Sequence, residues 1–219
     1  MILVVCLITP LLPLIDPDET DLAVRLETPF NAKHWLGTDE LGRDLLSRLL
    51  WGTRVSLAVG FAATFAAALI GSTIGLVSGY FGGRIDSLLM RLIDTIWAFP
   101  YLLLALAIVA AFGPGLLNAL MAIAIVNIPF FARTVRGTTI TLTNREFVMA
   151  ARTSGAGHLD ILFRELLPNV LPVIVVTIST TAGWMILETA GLSFLGLGAQ
   201  PPTADLGSML GEGRKVLFT

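Results

Sequence analysis

Side chains able to do proton or covalent chemistry are scarce in this 219-residue chain. Its histidines are His34 and His158, and on the topology argued below they lie on opposite sides of a membrane, so they cannot share a metal ion. A phosphate-cradling loop needs its lysine after glycine and before Ser or Thr, but Lys33 follows Ala32 and Lys215 follows Arg214. No nucleophile-elbow or zinc-helix pattern occurs either. The sequence therefore predicts no enzyme, cofactor or metal site; if ATP drives this protein, a separate subunit binds and hydrolyses it. Asp94 and Glu188 are the carboxylates that border long apolar runs. Asp94 reads as a boundary residue that the interface can solvate. Glu188 precedes the apolar stretch ETAGLSFLGLGAQPP and is the candidate for lining a pathway. So few ionisable groups argue against a proton-coupled carrier, which needs them near the midplane. Cys6 is alone, which excludes an intrachain disulfide.

The most informative polar stretch is REFVMAARTSGAGHLDILFRELLP, from Arg145 to Pro168. Thr143 and Glu146 have capping-box spacing, Phe147, Ala150 and Ala151 group on one side of the helix that follows, and Gly155 with Gly157 allow a turn. A second short helix is expected next, with Leu159, Leu162, Phe163 and Leu166 as its apolar stripe. Arg152, Asp160, Arg164 and Glu165 are left for water or a partner. Such a rigid hairpin can transmit force by docking as a body.

The surroundings of the hairpin are apolar. Hydrophobic residues make up 55% of the chain and charged ones 14%, and the mean hydropathy is +0.82, which places it in a lipid bilayer. A net charge of −2 with no basic stripe excludes nucleic acid as a partner. Charge-free intervals long enough to cross, about 20 residues each, give spans near 55–81, 95–112, 116–132 and 166–187. The second and third are split at Gly113-Pro114-Gly115. Residues 1–15 read as the end of a partial first span, and 16–54 as an extracytoplasmic segment. In that segment Thr38 caps an interfacial helix with Leu41, Leu45 and Leu49 on one face and Arg43, Asp44 and Arg48 elsewhere. The membrane core is 55–219, with the hairpin at 133–165. Arginines and lysines on the two sides tie in number, but those at 82–94 and 133–165 are packed into short loops, which puts the hairpin in the cytoplasm. Ala63, Ala67, Gly71, Gly75 and Gly79 recur every fourth residue and form a helix-packing stripe, against this chain or another subunit.

The hairpin is similar to the EAA motif of ATP-binding-cassette importer permeases. Met149-Ala150-Ala151, Gly155 and Leu167-Pro168 stand at its positions, with Met149 replacing the usual glutamate and Glu165 a usual isoleucine. HWLGTDELGRDLLSRLLWGTRVSL, DTIWAFPYLLLA and ETAGLSFLGLGAQPPTADLGSML resemble the dipeptide, oligopeptide and nickel permeases, specifically the second of their two permease subunits. The resemblance implies an all-α polytopic bundle of the type I importer kind, in the cytoplasmic membrane of a bacterium or archaeon. It implies a second permease subunit, two cytoplasmic ATP-binding subunits and an extracytoplasmic solute-binding protein. It assigns Phe147, Met149, Ala150, Ala151, Gly155, Ala156, Gly157 and His158 to a coupling hairpin that docks on the ATPase, with cargo moved by alternating access. Peptides are the expected cargo. The family's six spans exceed the five visible here, so the sixth is expected to be missing from this chain. The competing reading is a secondary carrier or channel subunit whose hairpin binds a regulator; midplane charges or an inverted repeat would mark it, and neither is found.

Overall fold

A computed structural model describes Cys6 and residues 8–216. The beginning of the expected partial first span, 1–5 and Leu7, lies outside the described residues. Thr9–Leu11 form a 3₁₀ turn, and Leu12 is extended. Seven α-helical segments follow: α1 (Leu45–Phe81), α2 (Gly83–Trp97), α3 (Tyr101–Phe112), α4 (Leu116–Thr143), α5 (Glu146–Thr153), α6 (His158–Phe194) and α7 (Leu206–Val216). Among the described residues β pairing is confined to an isolated bridge between Thr38 and Asp44. The chain is thus nearly all helix. By length and apolar character α1, α4 and α6 can cross a membrane, and α2 with α3 make a fourth if their bent pair counts as one span.

Several boundaries depart from expectation, each for a local reason. Charge ends an apolar run without ending a helix, so α4 continues past Ala132 to Thr143 and carries Pro129 within it. The run expected as one span over 95–112 is broken after Trp97, with an 86° bend between α2 and α3. Pro100 supplies no N–H and disfavours helical backbone in the residue before it.

The contacts divide the chain into two compact units. The first joins the residues up to Phe61 with Leu106–Leu120 and the residues from Ile186 onward. Within it Thr38 does not cap a helix: its hydroxyl accepts from the Glu27 N–H at 2.9 Å and donates to the Val24 carbonyl. Asp44 caps α1 instead, accepting from the Ser47 N–H at 2.8 Å, with His34 Nδ1 3.0 Å from its other oxygen. The expected orientation is also reversed. Leu41 and Leu49 are exposed, while Arg43, Asp44 and Arg48 are buried. Arg43 reaches Asp39 at 2.6 Å, and both arginines reach Glu212 of α7, at 3.0 and 3.2 Å. Paired in this way, guanidinium groups can leave water where isolated ones could not. Asp205 caps α7 through the Gly207 N–H at 2.8 Å.

The second unit, Ala62–Ala105 with Met121–Met185, holds the small-residue stripe. Ala63 and Ala67 are fully buried. A Cβ on Gly71 would lie 2.6 Å from the Ile128 carbonyl, and one on Gly79 would lie 2.7 Å from Thr139 Cβ. Gly75 is blocked by the Ala132 carbonyl and the Arg136 N–H. The stripe therefore meets the backbone of α4 in the same chain.

Candidate functional site: the hairpin between α4 and α6

Residues 133–165 form one separate helix, α5, held between the ends of two long ones. Arg145 stands at its N-cap without a side-chain cap. Thr143 remains in α4, its hydroxyl donating to the Thr139 carbonyl at 2.8 Å, so the capping box does not form. The expected second short helix is likewise absent as a separate element. His158–Asp160 runs through a π-helical stretch, Ile161–Leu166, straight into the membrane helix.

The turn between the arms is closed by a Schellman motif. The Gly155 N–H donates to the Arg152 carbonyl and the Ala156 N–H to the Ala151 carbonyl, both at 3.0 Å. Gly155 has φ +81°, in the left-handed region, and a Cβ there would touch nothing within 4 Å. Its requirement is conformational rather than spatial.

Val148 is the anchor of α5. It is fully buried among Leu76, Val135, Ile161 and Leu166, with Phe147, Ala151 and Ala156 packed at the edge. Met149 and Ala150 point outward and are exposed. The expected apolar stripe of the second arm is split. Leu162 and Leu166 are buried, whereas Leu159 and Phe163 are 69% and 61% exposed. A π turn holds more residues than an α turn, so spacing laid out for 3.6 residues per turn falls out of phase there.

His158 shares a hydrogen bond with the Tyr80 hydroxyl through Nδ1 at 2.8 Å. Its ring lies 5.7 Å from that of Tyr80 and 5.5 Å from that of Phe81, and the Arg152 guanidinium sits 5.4 Å from the Tyr80 ring. The end of α1 therefore holds the beginning of α6. Arg164 and Asp160 form an exposed pair at 3.3 Å, which adds little. Gly157 precedes the helical turn at His158 in extended backbone. Glu188 is half-buried in α6, on the unit to which the hairpin does not belong.

Sequence reasoning missed Val148 and Tyr80, and the two ion pairs that tie α2 to α4. Arg136 binds Asp86 through two bonds of 2.6 Å. Arg133 reaches Asp94 at 2.6 Å while lying 3.9 Å from the Trp97 ring centre. Val148 gives no local signal, because Phe147 and Met149 on either side are apolar too; the ion pairs join residues too far apart in sequence to be found from spacing.

Several apolar helices of membrane-crossing length fit a multi-pass membrane protein. The chain belongs to the family of binding-protein-dependent transport system inner membrane components, whose model matches residues 71–219, and it is a multi-pass permease component of such an ABC importer. It is 46% identical over 215 residues to the dipeptide transport system permease protein DppC of Alkalihalophilus pseudofirmus, covering 98% of this chain and 70% of that one. To the glutathione transport system permease protein GsiD of Pectobacterium atrosepticum it is 48% identical over 190 residues, covering 87% and 63%. To the probable D,D-dipeptide transport system permease protein DdpC of Escherichia coli K12 it is 43% identical over 218 residues, covering 100% and 73%. The backbone is similar to a chain of the inward-facing MetNI methionine ABC transporter, with a TM-score of 0.64 at 20% identity over 78% of this chain and 82% of that one. A crystal structure of an amino acid ABC transporter gives 0.59 at 21% identity over 80% and 81%. At such identities the likeness shows the fold.

Proposed function

We propose that this chain is one of two membrane subunits of an ATP-driven importer for dipeptides or short oligopeptides, coupled to two cytoplasmic ATP-binding subunits through its α5 hairpin. Similarity to a dipeptide permease over nearly the whole chain supports the cargo class most strongly. The hairpin's build supports the coupling role. Its inner face is fixed by Val148, its turn by Gly155, and its outer face presents Met149 and Ala150. Phe147, Ala151, Ala156, Gly157 and His158 hold that face in place. ATP binding closes the ATP-binding subunits, the docked hairpins move with them, and the cavity alternates between outside-open and inside-open while a solute-binding protein delivers cargo. Location in the cytoplasmic membrane and a pathway position for Glu188 complete the reading.

Ala150→Trp tests it, because the exposed alanine can be enlarged without disturbing the core. Co-purification of the ATP-binding subunits is expected to fall about tenfold, equivalent to about 1.4 kcal/mol, at unchanged membrane levels. Full recovery of the ATPase would sink the docking role. Uptake of a labelled dipeptide by the intact importer should be competed by unlabelled peptides and not by nickel; the reverse pattern would reassign the cargo.

A further inference from the structure

Helix α2 presents an apolar face that nothing in its own unit covers. Ile85, Leu88 and Leu92 are 45%, 63% and 59% exposed, and at 100° per residue they fall within one narrow sector. Arg84 and Arg91, seven residues apart and so nearly superimposed along the helix, flank that sector on one side. Both are exposed and neither forms an ion pair among the described residues. The helix is not free to roll and hide this face. Its opposite side is fixed to α4 by buried Ile93 packed with Ile128 and Ala132, by the Asp86–Arg136 pair, and by Asp94 with Arg133.

The bend sets how this face meets its surroundings. At about 1.5 Å per residue α3 is about 18 Å long, well short of the roughly 30 Å hydrocarbon core. With an 86° bend between them, α2 runs nearly perpendicular to α3 and so along the membrane plane when α3 follows the normal. Trp97 and Tyr101, 47% and 46% exposed, flank the bend, and such rings settle at headgroup depth. An amphipathic helix in the interface buries its apolar sector at the acyl boundary and keeps arginines at the headgroups.

We propose that α2 is a binding site for acidic phospholipid, with Ile85, Leu88 and Leu92 against the acyl chains and Arg84 and Arg91 on the headgroup phosphates. A protein partner would have to supply two carboxylates or bury two unpaired guanidinium groups; an anionic leaflet supplies the counter-charge directly. Because two ion pairs join α2 to α4, the leaflet then fixes the position of the helix that leads into the hairpin.

The test uses the assembled importer in nanodiscs of equal phosphatidylglycerol and phosphatidylcholine, with retained lipids counted by native mass spectrometry after mild detergent release. Removing both charges with Arg84→Gln and Arg91→Gln is expected to lower the preference for phosphatidylglycerol up to roughly thirtyfold, and either alone roughly fivefold. The lysine pair at the same positions should keep most of it. Leu88→Ala with Leu92→Ala should reduce total retained lipid and leave the ratio unchanged. An unchanged ratio in the double glutamine variant overturns the proposal, as does loss of the second permease subunit from the leucine variant, which would show that protein covers this face. Lipid counts do not depend on cargo or on ATPase docking, so a failure here is separable from a failure of the transport reading.

Discussion

Gly75→Leu is expected to abolish accumulation of folded permease in the membrane, while Gly137→Ala in the facing helix leaves it unchanged or slightly raised. The atoms that a Cβ on Gly75 would meet are main-chain: the Ala132 carbonyl, and the Arg136 nitrogen at 2.9 Å, with Val135 Cβ at 3.0 Å. Overpacking commonly costs about 1–3 kcal/mol when side chains can shift. Here α1 and α4 would have to separate along the whole stripe, so the cost lies at or above that range. Gly137 has nothing within 4 Å of its would-be Cβ, and alanine there removes an entropic penalty of roughly 0.5–1 kcal/mol. Detergent-solubilised yield and melting temperature check both. A Gly75→Leu protein that melts like the parent would show that the two helices do not touch there.

Val148→Asp is expected to leave the protein inserted but to stop transport. The side chain it replaces is fully buried in an apolar cluster that includes Leu76, Val135, Ile161 and Leu166. A carboxylate there has no partner, and burying a polar group without one costs several kcal/mol, more than a single short helix can absorb. The long helices owe their place to other contacts, so α5 should lift away alone. The expected signature is normal membrane abundance, new protease cleavage between Asn144 and Gly157, and loss of uptake with loss of ATPase capture. Normal uptake would mean that the hairpin does not carry the drive. Met149→Asn, at a 52% exposed site, is the control for polarity without unpacking.

Much of this architecture could be read from the chain. Charge-free runs located α1, α4 and α6, because exclusion of charge is what a bilayer demands. The stripe from Ala63 to Gly79 located a close helix contact, since small residues every fourth position have one geometric use. What failed was reasoning that treated charge as a boundary. Arg133 and Arg136 lie within a continuing helix, paired to Asp94 and Asp86, and Arg43 and Arg48 turn inward to Glu212. These pairings join residues far apart in sequence, and no local pattern encodes them. In the hairpin, the glycine turn was legible because a left-handed residue has a strong compositional signature. The inward direction of Val148 was not, because Phe147 and Met149 beside it are equally apolar, and the outward direction of Leu159 and Phe163 was not, because the π stretch shifts the phase on which helical spacing relies.

That stretch, Ile161–Leu166, also bears on how the protein could change over generations. The Leu167 N–H reaches back to the Leu162 carbonyl, five positions earlier, so the helix accommodates one residue more than an α turn holds. Deleting a single codon there would let the backbone relax to the ordinary repeat with every amide still bonded. It would leave everything before it close to its present heading around the axis of α6, because the π turn spreads one more residue over nearly the same rotation as an α turn, and Met149 and Ala150 would keep their outward direction. In this segment chain length can change without a change of heading, which gives a lineage of such proteins a place to gain or lose a residue while the hairpin before it stays seated on the same bundle.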